Sequence, residues 1–358
     1  MKNLLFLIGT RPEVIKMAPL IQKFRQRGRF LARLCTSGQH ASLLTEALAE
    51  AALSPDISFT IEGELSQKTA QCLTRFDTVL VTEKPDAILV HGDTLTAFGG
   101  ALAAFYRHIP VFHVEAGLRT DRVDSPFPEE LYRRVIDSLS TLCFAPTEAA
   151  AAHLRKEGKS EEAIHVVGNT VIDTLISDID PAFSSPLIIK DKKLILMTLH
   201  RRETQGRVAE NICRAVKEAL AGERDVRLVI PVHPSPRVRE SLSAVFSKDE
   251  RTTLIPALDR RSFRNLLFRA ALVLTDSGGV SEEATALGVP TLLLRDVTER
   301  PEGVEAGVLH PVGTSFAQIL AAIRDHLAHP RPRRPSSVFG DGNTSARICD
   351  LVEKFFLA

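Results

Sequence analysis

The chain has 358 residues, with 45 Lys and Arg against 44 Asp and Glu and a formal net charge of +1; this length favours two domains, and the balanced charge offers no global field to attract nucleic acid or an acidic membrane surface. Its cysteines (Cys35, Cys72, Cys143, Cys213, Cys349) are scattered, with no C-x-x-C pair, which fits a reducing compartment and argues against a thiolate zinc site. No run approaches the roughly 20 apolar residues that span a bilayer, so a soluble, cytoplasmic protein with no nucleic-acid and no membrane partner is expected.

Along the chain, the apolar run at residues 4–8 is too short for a signal-peptide core and leads straight into Gly9-Thr10-Arg11, so it reads as a first strand. Val14, Met17, Ala18 and Ile21 then keep helical spacing, with Pro12 suited to a first turn. Further strands are expected at 33–36, 87–90 and 111–114, the last two being continuous apolar runs of the kind buried parallel strands show. The pattern restarts after Thr170, with strands at 194–197, 227–230, 272–274 and 291–294. Short strands alternating with longer helical stretches make the class α/β, with two doubly wound domains. Residues 179–190, containing Pro181 and Pro186, read as the linker. After a second proline cluster (Pro330, Pro332, Pro335), the last helix carries one apolar stripe: Ile348, Leu351, Val352, Phe355 and Phe356. The expected domains are 1–172, with the helix at 344–358 packed back on it, and 173–340.

Asp276-Ser277-Gly278-Gly279 follows an apolar strand and opens a helix. Glycines there let backbone N–H groups and the positive helix end approach a phosphate, though a plain strand-to-helix turn has the same pattern. Glu283 lies further along that helix, within reach of a ribose hydroxyl. Gly9-Thr10-Arg11-Pro12 is a similar turn, with Arg11 and Lys16 adding charge. Neither matches G-x-G-x-x-G with its acidic ribose partner, so NAD is disfavoured and no cofactor is expected.

His91-Gly92-Asp93-Thr94 and His113-Val114-Glu115 sit where open α/β sheets place their ligands, outside the carboxyl ends of strands. Each acid alone also reads as a helix cap or surface ion pair. Ser125-Pro126-Phe127-Pro128-Glu129-Glu130 opens a helix that sets Arg133 one turn after Glu129, the spacing of an i,i+4 ion pair. In the second half, His200-Arg201-Arg202-Glu203 and His233 end strands; His200 beside two arginines suits a phosphate or leaving group, and His233 reads equally as a loop hydrogen-bonding residue. No H-E-x-x-H or comparable spacing supports a metal.

Taken in order, Gly9-Thr10-Arg11-Pro12-Glu13, His91-Gly92-Asp93-Thr94, residues 113–120, Ser125 through Glu130, Gly168-Asn169-Thr170-Val171-Ile172-Asp173, His200 through Glu203, Asp276 through Gly279 and Thr298-Glu299-Arg300-Pro301-Glu302 resemble the non-hydrolysing UDP-N-acetylglucosamine 2-epimerases along essentially the whole chain. The resemblance implies a GT-B-type fold, two Rossmann-like domains with the nucleotide sugar in the cleft between them, and a homodimer. It implies interconversion of UDP-N-acetylglucosamine and UDP-N-acetylmannosamine by elimination of UDP to 2-acetamidoglucal and re-addition. By motif matching, Asp93, Glu115 and Glu129 are the acid/base candidates, with Arg133 supporting them and His200 near the diphosphate. Arg11, Lys16, Arg201, His233, Ser277, Gly278, Gly279, Glu283 and Arg300 are the substrate-binding candidates.

Some positions depart from the family pattern: Tyr132 where Asn is usual before the supporting Arg, Ser281 where Gln follows the glycine pair, and Phe339 for Tyr before Gly340-Asp341-Gly342. Family members bind a second UDP-N-acetylglucosamine as activator through Gln39-His40 and a later glutamine, here matched by Glu64. A carboxylate there would repel a diphosphate, so substrate activation is expected to be weak; a sigmoidal rate curve abolished by Glu64→Gln would contradict this. Competing readings are a 2-epimerase of a modified UDP-sugar, a GT-B glycosyltransferase, a hydrolysing epimerase and a non-catalytic UDP-sugar binding protein.

Overall fold

The computed structural model describes every residue except 39, 40, 121, 202, 203, 205, 233–235, 297, 299 and 358, with backbone alone for 41, 42, 236 and 237. In chain order the first unit holds β1 (Lys2–Ile8), α1 (Arg11–Arg27), β2 (Phe30–Gly38), α2 (Ala41–Glu50), β3 (Ile57–Thr60), α3 (Leu65–Glu83), β4 (Ala87–His91), α4 (Leu95–Tyr106), β5 (Val111–Val114), α5 (Glu129–Leu139), β6 (Leu142–Ala145), α6 (Glu148–Lys156), β7 (Ile164–Val166) and the start of α7 (Thr170–Asp178). The second holds β8 (Lys193–Thr198), α8 (Arg207–Ala219), β9 (Val226–Val232), α9 (Pro236–Phe246), β10 (Thr252–Pro256), α10 (Arg260–Arg269), β11 (Leu272–Thr275), α11 (Gly278–Leu287), β12 (Thr291–Leu293), α12 (Pro301–Glu305), β13 (Leu309–Pro311) and α13 (Phe316–Ala328); α14 (Thr344–Leu357) returns to the first.

The first sheet has seven strands in the order β3-β2-β1-β4-β5-β6-β7, the second six in the order β10-β9-β8-β11-β12-β13. Every pairing is parallel. Both orders reverse beside the first strand of the unit, the mark of doubly wound Rossmann-like folds, so the chain has the expected α/β class with two such domains. Alternation along the strands builds a core on each face. On β1, Leu4, Phe6 and Ile8 join the side packed by α1 and α14, whereas Leu5 and Leu7 join the side packed by α3 and α4. On β8, Ile195 and Met197 face α8 and α13, and Leu194 and Leu196 face α10.

The compact units divide as 1–174 with 340–358, and 175–339. The expected linker at 179–190 is corrected: Phe183, Leu187 and Ile188 pack on the core of Leu194, Val229 and Leu266 in the second unit. Its prolines mark an irregular covering segment, because the segment carries enough apolar surface to stay on the sheet. In the first unit α14 buries Ile348 and Val352, and Phe355 meets Phe112 edge-on at 5.1 Å. Its start is fixed by Asp173, whose carboxylate accepts the N–H groups of Thr344 (3.0 Å) and Ser345 (2.7 Å). Among the described residues no helix is long and apolar enough to cross a membrane.

Candidate functional site

The sheet order puts the switch point of the first unit between β1 and β4, whose carboxyl ends run into Gly9-Thr10 and His91 through Thr94. Gly9 is required by space: a Cβ there would lie 1.8 Å from Thr96 Oγ1. Glu13 ties the two turns together. Its Oε2 accepts the Gly9 N–H (3.0 Å) and the Thr10 hydroxyl (2.8 Å), and its Oε1 accepts the Thr94 hydroxyl (2.8 Å). Thr94 in turn caps α4 by accepting the Ala97 N–H at 3.0 Å.

Glu13 is buried, and that burial outweighs its hydrogen bonds and pushes its carboxyl up to about 7 from 4.5. A raised value in the folded state means that its favourable contribution is complete below 4.5 and lost as pH rises through about 7. The gap corresponds to about 3 kcal/mol. Urea unfolding of the wild type and of Glu13→Gln, whose amide does not titrate, is expected to show the wild-type advantage shrinking by about that amount between pH 4.5 and 8. A pH-independent difference would refute it.

Asp93 follows Gly92, which holds φ at +62°, and its carboxylate meets the Arg133 guanidinium on α5. The expected Glu129–Arg133 pair is corrected, since Arg133 reaches Asp93 and, at 3.3 Å, Glu130 Oε2. Glu130 is wholly buried and also accepts the Thr120 N–H (3.1 Å) and Arg134 Nε (2.7 Å), which anchors the 113–120 loop to α5. Glu129 instead lines a cavity of about 470 Å³, together with Thr10, Asp93, Thr94, Lys68 and Tyr132 among others. Two of the three candidate acids thus share one cavity. Tyr132 forms part of its wall and is held flat against Phe98, with ring centroids 4.6 Å apart. Glu64 lines the same cavity at the start of α3, where the Gln67 side chain accepts its N–H (3.0 Å).

Glu115 lies elsewhere. It takes a left-handed φ of +66°, a strained setting for a side chain of this size. Its Oε2 meets Lys16 Nζ and lies 2.9 Å from His91 Nε2 and 3.4 Å from Asn169 Nδ2. Burial, the larger influence, holds His91 below its usual range despite this carboxylate. Lys16 is therefore engaged by Glu115, and Arg11 stands half exposed, 3.9 Å from Glu50. The neighbouring His113 is fully buried, with Nδ1 2.6 Å from Asp137 Oδ1 and Nε2 2.7 Å from the Gly92 carbonyl, so it braces the turn that carries Asp93.

In the second unit the switch point lies between β8 and β11. Asp276, fully buried after β11, accepts the backbone N–H groups of His200 (3.0 Å) and Arg201 (3.0 Å) and the Thr204 hydroxyl, and lies 3.0 Å from His200 Nδ1. Burial works against ionisation, but the bonds from His200, Thr204 and Arg201 prevail and hold its carboxyl at about 2. Ser277 caps α11 by accepting the Val280 N–H at 3.3 Å, and Arg201 Nη2 lies 3.7 Å from where a Cβ on Gly278 would stand. The structure thus gathers His200, Arg201, Ser277, Gly278 and Gly279 at one helix N-terminus, whose free N–H groups and adjacent guanidinium suit an anion. Glu283 is buried against Arg264, and Arg300 pairs with Glu282 on α11. His233, with Gln39, His40, Arg202 and Glu203, lies outside the described residues.

The residues that sequence reasoning missed are those that organise these groups: Glu13, Glu130 and Asp276. Each stands inside a quoted motif, Glu13 and Glu130 in the first turn of a helix and Asp276 just after a buried strand, where a buried acid needs several donors.

The family profile described as UDP-N-acetylglucosamine 2-epimerase matches residues 22–353. The UDP-N-acetylglucosamine 2-epimerase of Bacillus subtilis is 42% identical over 96% of this chain and 92% of its own length, and that of Escherichia coli K12 is 39% identical over 98% of each. Among solved structures, an S. aureus MnaA-UDP co-structure superposes with a TM-score of 0.91 at 41% identity, covering 99% of this chain and 97% of that one. The Neisseria meningitidis UDP-GlcNAc 2-epimerase bound to UDP-GlcNAc gives 0.90 at 36% identity, covering 99% and 100%.

Proposed function

We infer the reaction from one premise, that this chain belongs to the UDP-N-acetylglucosamine 2-epimerase family: it is an isomerase that inverts C2 of UDP-N-acetylglucosamine to give UDP-N-acetylmannosamine. The C2 proton has no adjacent carbonyl to acidify it. In the route we propose, a carboxylate takes that proton while the bond from C1 to the UDP oxygen breaks, leaving 2-acetamidoglucal and UDP. UDP then adds back to C1 as a carboxylic acid returns a proton to the other face of C2. Elimination and addition balance without oxidant or reductant, so no redox cofactor is needed.

The observation that carries this reading is the cavity that Asp93 and Glu129 share, because base and acid must both reach one carbon. Arg133 steadies Asp93, and Glu115 is the third acid of the set. In the second unit the N–H groups of Gly278 and Gly279, with Ser277, Arg201 and His200, supply donors for departing UDP, Glu283 an acceptor for its ribose, and Arg300 and His233 further contacts. Arg11 and Lys16 add positive charge to the first unit. We also propose a cytoplasmic homodimer; exposed Val81, Phe105 and Tyr106 on α3 and α4 offer apolar surface for a second copy to cover.

Incubation with UDP-N-acetylglucosamine in D₂O, followed by proton NMR, tests the reaction. UDP-N-acetylmannosamine carrying deuterium at C2 is expected. An unchanged C2 signal over hours would sink the assignment for this sugar and turn attention to a modified one, for which Tyr132 in the cavity wall is the motive.

A further inference from the structure

Arg264 on α10 is a complete cation inside the second unit, with 1% of its surface exposed. A buried guanidinium persists only where carboxylates and hydrogen bonds replace its water. Its Nη1 donates to Asp178 Oδ2 at 2.7 Å, while Nε (2.9 Å) and Nη2 (2.6 Å) both donate to Glu283 Oε1. Asp178 has a second cation, Arg260 Nε, at 2.9 Å. Burial pushes the Glu283 carboxyl up, and Arg264 is the group that works against it.

The way the fork is spent matters. An arginine that served only to neutralise Glu283 would bond both carboxylate oxygens in parallel, the arrangement its geometry favours. Here both N–H groups converge on Oε1, and Oε2 takes no hydrogen bond from the described residues although Glu283 is only 8% exposed. Unlike Oε1, that oxygen keeps a solvent-accessible face open to a donor, and it stands on α11, the helix whose N-terminus gathers Ser277, Gly278, Gly279 and Arg201.

We propose that Arg264 is the positioning residue for ribose selectivity: by holding Oε1 of Glu283 it keeps the carboxylate turned so that Oε2 accepts the hydroxyls of the nucleotide's ribose. This rests on the reading of Glu283 as the ribose acceptor. Arg264 acts through Glu283 and touches no substrate atom itself. Its effect is therefore confined to ligands that carry the hydroxyls.

The test is calorimetric titration of the full chain with UDP and with 2′,3′-dideoxy-UDP. Wild type is expected to bind UDP at least about tenfold more tightly, the scale of one hydrogen bond to a charged group. Arg264→Met is expected to bring the two ligands within about threefold of each other by weakening UDP alone, with dideoxy-UDP binding as in wild type. Should Arg264→Met not fold, Arg264→Lys, which keeps the charge but loses the fork, is expected to cut the preference several-fold with dideoxy-UDP again unaffected. A wild type without preference overturns the Glu283 reading on which the proposal rests. A normal wild-type preference that survives in the variants, or equal weakening of both ligands, overturns the role of Arg264 and leaves Glu283 standing.

Discussion

Asp93→Asn lowers kcat for C2 inversion by about 10²- to 10⁴-fold, the worth of one positioned acid or base, and leaves the affinity for UDP unchanged. Asparagine has the same shape and still presents an oxygen to Arg133, which holds Asp93 at the carboxyl end of β4. It can neither take nor return a proton. Since Asp93 and Glu129 line one cavity, Glu129→Gln is expected to cost as much, and the double variant little more than either alone, because removing one member of a unit already stops the cycle. The checks are initial rates and deuterium incorporation at C2, alongside thermal melts. Retention of more than about a tenth of wild-type kcat by Asp93→Asn would leave Asp93 a partner of Arg133 and move proton transfer elsewhere.

Asp276→Ala has the largest expected effect on the second unit. The fully buried carboxylate collects the His200 and Arg201 N–H groups, the Thr204 hydroxyl and the His200 ring. Removing it strands the buried Thr204 hydroxyl, costs the partly buried His200 and Arg201 N–H groups their acceptor and releases the residues arranged at the start of α11, at a cost of about 3–5 kcal/mol. The second unit is expected to unfold at lower urea and to lose UDP binding. The pH sign is opposite to that of Glu13. A folded value lowered to about 2 from 3.8 contributes stability above 3.8 that is lost as pH falls through about 2, so the deficit of Asp276→Ala is expected in full at neutral pH. Unaltered UDP affinity in a folded Asp276→Ala would show that the loop does not depend on this carboxylate.

How much of this was legible along the chain depends on how local the cause is. The strands at 87–90 and 111–114 announced themselves because strands buried on both faces are continuously apolar. β7 and β13, with three residues each, and the half-exposed edge strand β3 carry too little pattern to separate them from loops. Proline at 181 and 186 was legible as irregular backbone but not as a linker, since whether such a segment bridges units or covers a sheet depends on Phe183, Leu187 and Ile188 finding a core. The motifs were equally visible, but their internal partnerships were not: Glu129 and Glu130 are adjacent and alike, yet one faces the cavity and the other is buried under Arg133 and Arg134.

The sequence by itself determined the α/β class, the two Rossmann-like domains and the strand ends that carry the motifs, because hydrophobic period and glycine-bearing turns act over a few residues. Only the tertiary structure decided that Arg133 serves Asp93, that Glu115 lies with Lys16 and His91, that Asp276 gathers the His200 loop and that Arg264 sits behind Glu283. The physical reason is the same in each case. A charged side chain removed from water takes whichever opposite charge and hydrogen-bond donors the packed sheets bring within about 3 Å, and that choice is made between residues far apart in the chain.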